Sequence, residues 1–144
     1  MLVVNSILGN SYHGNNVKEK VDFAKKNNTL KRLFLSRTQM EKSHLRAETE
    51  DGLELGLSLE PGTILCNGDV LEVNSDLIVI HQLPEKVIRI MINENEWSPN
   101  LLVQLGHIIG NRHRPLSLTS DGCIMFPIHD ETEVELFEKL FSDI

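Results

Sequence analysis

Aromatic residues are scarce in this chain: Phe, Trp and Tyr make up 5% of it, with a single Trp and a single Tyr. A core must therefore be assembled mainly from Leu, Ile and Val. Cysteine is scarcer still, with Cys66 and Cys123 far apart and matching no CxxC metal clip. Both sit among apolar or turn residues ("TILCNGD", "DGCIMFPI"), which predicts buried free thiols and a reducing, cytoplasmic setting. No apolar run approaches the ~20 residues of a membrane span, and "MLVVNSILGNSYHG" lacks the basic start and long apolar stretch of a secretion signal. No membrane partner is expected. Basic residues are in deficit too, at 14 Lys and Arg against 21 Asp and Glu, a formal charge of −7. Nucleic-acid binding, which needs a basic face, is excluded as a class. The carboxylate surplus keeps a protein dissolved and tolerates cationic partners, metal ions included.

What is present suits one modest core or two small ones, since 40% of 144 residues are hydrophobic. The first half reads as β-structure. "LVVNSIL" (Leu2–Leu8) and "LKRLFLS" (Leu30–Ser36) have strand character, and the polar stretch between them reads as a loop with at most one helical turn. Asp51-Gly52 marks a hairpin, after which Leu53, Leu55, Leu57 and Leu59 alternate onto one face. Pro61-Gly62, Asn67-Gly68 and Asn74-Ser75-Asp76 are further turns, so residues 1–83 predict a small β-sandwich or barrel-like domain.

From Pro84 the pattern changes. "KVIRIMI" (Lys86–Ile92) is a strand. Ser98-Pro99 supplies an N-cap and a first-turn proline, and Leu101, Leu102, Leu105, Ile108 and Ile109 form a helical stripe. Gly110-Asn111 is the expected left-handed stop, and Pro115 prevents resumption. "PLSLT" and "CIMFPI" are strands around Ser120-Asp121-Gly122, and "ETEVELFEKLF" is a second helix with acidic residues where the helix dipole favours them. Residues 84–144 thus have the β-α-β-β-α order of a ferredoxin-like α+β domain without its last strand.

No nucleophile elbow, P-loop, dinucleotide fingerprint or HExxH occurs, so no enzymatic activity is expected. Glu48, Glu50 and Asp51 flank a turn and suit a solvated loop. Six histidines remain. His13, His44 and His81 are each alone in sequence and read as surface or edge-strand imidazoles. His107 and His113 are not spaced i, i+4, so one helix does not chelate a metal through both. A lone imidazole beside a twofold axis, however, meets its own copy, and two such groups can share a divalent ion. Imidazole suits nickel, zinc and copper alike. The alternative is that His113 merely terminates the helix, where a cationic group is stabilising.

"GNRH" (Gly110–His113) at a helix end followed by "RPLSL" resembles the signature of the UreE family, urease accessory proteins that carry nickel. "TEDGLELGLSLEPGTILCNGDVLEV" is similar to the family's N-terminal half in its DG hairpin, its leucine arm and its "GD-x-L" turn. The resemblance implies a β-rich partner- or peptide-binding domain followed by a ferredoxin-like metal-binding domain. It also implies a homodimer in which His113 of each chain is the primary Ni2+ ligand, with Zn2+ or Cu2+ as competitors. His129, sixteen residues on, stands where some members carry a further histidine. His107 lies next to an auxiliary position that Ile108 occupies here, and His44 replaces a usual arginine. The histidine-rich tail of many members has no counterpart, since the chain ends at "EKLFSDI". The implied role is a cytoplasmic metallochaperone delivering nickel, with an accessory GTPase, to apo-urease. The competing expectation is a β-rich interaction adaptor that binds no metal.

Overall fold

In the computed structural model, which describes residues 1–144, the Asp51-Gly52 turn reverses the chain between β4 (His44–Glu48) and β5 (Glu54–Ser58). Gly52 lies at φ 93°, where a side chain would be strained. The Thr49 hydroxyl and the Lys31 ammonium both donate to the Asp51 carboxylate at 2.5 Å. The Lys31 bond, then the Thr49 bond, hold the Asp51 carboxyl below the usual carboxylate range. Asp51 therefore favours the native state above the ordinary carboxylate pKa of about 4, and that contribution fades as pH falls through its lowered native value. Urea melts at fixed pH should show Asp51→Asn losing stability less steeply than the parent below about pH 4; equal slopes would place the acid sensitivity elsewhere.

The chain divides into two compact units, Met1–Pro84 and Glu85–Ile144. The first contains two sheets. One has the order β1-β5-β4, with β1 (Leu2–Val4) parallel to β5. The other has the order β2-β6-β7-β3, from β2 (Gly9–Asn10), β6 (Asp69–Val73), β7 (Asp76–Gln82) and β3 (Leu30–Leu35). Their facing sides share one core: Val4, Leu55 and Leu57 from the first sheet meet Leu33, Leu35, Leu71, Val73, Ile78 and Ile80 from the second. This is the β-rich sandwich that the alternating leucines predict. The expected single strand Leu2–Leu8 is instead two short ones, because the chain passes from one sheet to the other between them. After β3, Ser36 caps the short helix α2 (Arg37–Met40), closing a capping box with Gln39.

A larger departure from expectation lies between β2 and β3. The polar stretch read as a loop holds α1 (Asn15–Lys26), a helix of 12 residues. Its stripe of Val17, Val21 and Ala24 packs on Val70, Leu77, Val79 and Leu30, the outer face of the second sheet. Three small apolar side chains suffice because the sheet supplies the rest of the buried surface. Gly14 makes no side-chain cap bond and Asn28, at φ 55°, ends the helix, so the usual start signal is missing.

In the second unit, β8 (Val87–Ile90), β10 (Ile124–Pro127) and β9 (Ser117–Leu118) form an antiparallel sheet in the order β8-β10-β9. The connection from β8 to β9 runs through α3 (Pro99–Asn111) and leaves β10 between them, the split arrangement of a ferredoxin-like unit. Ile88, Ile90, Ile124 and Phe126 point to the face covered by α3 and α4 (Thr132–Phe141). Phe126 and Phe137 meet edge to face with centroids 4.7 Å apart. No helix of the chain is long and apolar enough to cross a membrane.

Candidate metal site

Helix α3 carries the first candidate ligands, and its ends explain where they lie. At its start the Ser98 hydroxyl accepts from the Leu101 amide at 3.1 Å, with Pro99 in the first turn. Ser98→Ala should cost about 1 kcal/mol, read as a lower denaturation midpoint of the second unit; an unchanged midpoint would assign the start to Pro99 alone. Leu105 and Ile109 are buried, while His107 is exposed.

At its far end the helix runs past the expected Gly110-Asn111 stop. Neither residue has a positive φ; the left-handed residue is His113, at φ 55°. Its amide donates to the Gly110 carbonyl at 2.9 Å and the Arg114 amide to the Ile109 carbonyl at 3.4 Å. These two bonds form a Schellman terminus with histidine in the position that glycine usually fills. Histidine is among the side chains that tolerate this backbone, at a cost glycine does not incur. The tripeptide Gly110-Asn111-Arg112 is thus the last turn, and His113 is the stop. Its ring is exposed and makes no hydrogen bond within the chain.

The other two candidates are engaged. The Asn111 amide donates to His107 Nε2 at 3.1 Å, one turn along α3. Arg114 Nη1 donates to His129 Nε2 at 2.5 Å. The same guanidinium pairs with Glu133, whose second oxygen accepts from the His129 backbone amide. The Arg114 and Glu133 side chains are only 14% and 17% exposed, and Arg114 Nε is buried without a partner. His113 and His129 are therefore linked only through Arg114, which occupies the His129 Nε2. No three His, Cys, Asp or Glu side chains of the chain converge on a point that would hold a metal ion. A divalent ion at His113 needs its remaining ligands from elsewhere.

Arg114 and Glu133 are the residues that sequence reasoning missed. They stand 19 positions apart, on a loop and a helix, and no periodicity joins them. Their one legible trace is the acidic first turn of α4, which the helix dipole alone already explains.

The second unit also exposes large apolar side chains. Val103 on α3, Leu116 and Leu118 are 70%, 50% and 75% exposed. Nothing lies within contact distance of where a side chain at Gly106 or Gly110 would stand. Elsewhere, His13 is exposed and the His44 ring bonds the Ser58 hydroxyl at 3.2 Å. His81 corrects the expectation of an edge or surface imidazole: β7 is an inner strand, and the half-buried ring stacks on Phe34 at 5.3 Å. Cys123 is buried as expected, but Cys66 is exposed because its segment is a turn at the sandwich margin rather than a strand.

Residues 4–82 match the family model of the UreE urease accessory protein, N-terminal domain. The urease accessory protein UreE of Yersinia aldovae is 32% identical over 121 residues, which are 78% of this chain and 51% of that protein. That of Bacillus cereus is 33% identical over 115 residues, 77% of this chain and 71% of the relative. That of Yersinia pestis is 31% identical over 121 residues. The chain spans about half the length of the Yersinia relatives it matches.

Proposed function

Because this chain belongs to the UreE family of urease accessory proteins, we propose that it carries nickel for urease maturation. Two chains pair through their second units and hold one Ni2+ between their His113 imidazoles, then release it to apo-urease with the help of an accessory GTPase. The first unit, Met1–Pro84, serves as the partner-binding module and the second, Glu85–Ile144, as the metal module. The cytoplasm is the compartment in which both free thiols, Cys66 and Cys123, stay reduced.

The observation that carries this reading is the contrast among three histidines. Only His113 has both ring nitrogens free of protein partners, while Nε2 of His107 and of His129 is bonded to Asn111 and Arg114. A neutral imidazole offers one lone pair, so one chain contributes one strong ligand and a twofold copy contributes the second. The exposed Val103, Leu116 and Leu118 supply apolar surface for such a pairing. Few ligands and an open sphere favour exchange over permanent retention, which suits a carrier without catalytic turnover. Zn2+ and Cu2+ compete for the same imidazoles.

Calorimetric nickel titration of three single variants tests the assignment. His113→Ala should abolish tight binding, while His107→Ala and His129→Ala should change affinity severalfold at most. Equal losses at all three would point to a shared chelate instead. The absence of a three-ligand group within one chain keeps a second reading in view, a β-rich adaptor without physiological metal. Under that reading Ni2+ leaves the thermal midpoint unmoved, whereas a ligand of the native state must raise it.

A further inference from the structure

The first unit holds a cleft of about 610 Å³ between α1 and the outer face of its second sheet. Its walls are cationic in a chain whose net charge is −7. Six of the chain's 14 Lys and Arg fall between Lys18 and Arg32. Lys18, Val21, Asp22 and Lys25 line the cleft from one stripe of α1, at spacings i, i+3, i+4 and i+7. Leu30 and Arg32 of β3 and Val79 and His81 of β7 line it from the sheet. The apolar members, Val21, Leu30 and Val79, belong to the cluster under α1 and form a floor.

The site is built rather than incidental. Lys18 and Lys25 have no ion-pair partner in the chain. Arg32 faces Glu50 at 3.7 Å, and Asp22 is the one carboxylate that lines the cleft. His81 is held by stacking on Phe34. Tyr12 also lines the cleft, and its ring lies where a side chain at position 68 would go: a Cβ on Gly68 would stand 2.4 Å from ring carbons. Gly68 also takes φ 88°, so glycine there serves both the turn and the placement of Tyr12.

We propose that this cleft binds a short acidic peptide segment of a partner protein, in which carboxylates flank an apolar side chain. The apolar residue rests on Val21, Leu30 and Val79. The carboxylates meet Lys18 and Lys25 on one wall and Arg32 and His81 on the other. The volume suits a few residues. The net charge of −7 disfavours a long polyanion such as a nucleic acid, which favours a short segment. The inference rests on the proposed role of the first unit as a partner-binding module, for which it names the cleft and the partner's chemistry, and it involves none of the candidate metal ligands.

Fluorescence anisotropy on the nickel-free full chain tests it, with a labelled, end-capped octapeptide of alternating glutamate and leucine as the probe. Saturable binding is expected at low salt, weakening as salt is added. The double reversal Lys18→Glu with Lys25→Glu should cost about tenfold or more in affinity. Asp22→Asn should tighten binding severalfold, a gain that misfolding does not produce. The proposal is overturned if the octapeptide does not bind, if its glutamine counterpart binds as well, or if the reversed variant binds unchanged. Tighter binding of a labelled oligodeoxythymidine than of the peptide would overturn it in favour of a nucleic-acid surface.

Discussion

Replacing His113 with glycine is expected to stabilise the second unit and to strip it of nickel in the same step. His113 sits at φ 55° and closes a Schellman terminus through backbone bonds alone, from its own amide to Gly110 and from Arg114 to Ile109. Glycine keeps both bonds and relieves the left-handed cost of a Cβ, about 1 kcal/mol. The usual destabilisation by glycine through the unfolded chain offsets part of that gain, so a midpoint equal to or above the parent's is the expected thermal result. Nickel affinity moves the other way. The variant removes both paired imidazoles from a shared site, a loss larger than the about 10- to 100-fold that follows removal of an outer-shell partner. The two readouts together exclude unfolding as the cause, because a more stable protein that fails to bind has lost a ligand. Tight binding by a stabilised His113→Gly protein would remove His113 from the site.

Glu133→Ala should have the largest effect on stability. It leaves the Arg114 guanidinium, 14% exposed and already carrying one unpartnered nitrogen, without its carboxylate. Breaking one side of such a pair costs about 3 kcal/mol, a large share of the 5 to 15 kcal/mol that typical domains possess. Trp97 is the only tryptophan and belongs to the second unit, so urea melts followed by its fluorescence report on that unit. The double variant Glu133→Ala with Arg114→Leu should recover part of the loss, because no buried charge is then left unpaired. If the double variant were no better than Glu133→Ala, the cost would lie in lost packing of α4 rather than in the stranded guanidinium. Both variants should also weaken nickel binding modestly, since Arg114 anchors the chain directly after His113.

Much of this architecture was legible because its signals are local. The Asp51-Gly52 turn, the alternating leucines and the Ser98-Pro99 cap each act within a few residues, and each appears where it was expected. Helix α1 was not legible from its own residues, since its buried stripe is only Val17, Val21 and Ala24. A trace of it stood elsewhere: "LIVI" in β7 is an unbroken apolar run, which an alternating strand with one wet face does not need. Ile78 and Ile80 face the sandwich core while Leu77 and Val79 face α1, so the run announces a cover for the second side. The stop of α3 lies beyond the expected Gly110-Asn111 for a different reason. Gly110-Asn111 carries the strongest left-handed signal, but the Schellman bonds can be closed by any residue that tolerates that backbone, and here they select His113. The Arg114–Glu133–His129 cluster depends on tertiary contact alone and leaves almost nothing in the sequence to find.

In the proposed dimer, His113 of two chains shares one metal ion. Sedimentation velocity of the full chain titrated with Ni2+, with bound metal quantified in the sedimenting species, separates this arrangement from binding by single chains. A dimer carrying one tightly held nickel for every two chains is expected, with loss of that nickel in His113→Gly. Tight nickel at one ion per chain on a monomer, or an unchanged nickel content in His113→Gly, would contradict it.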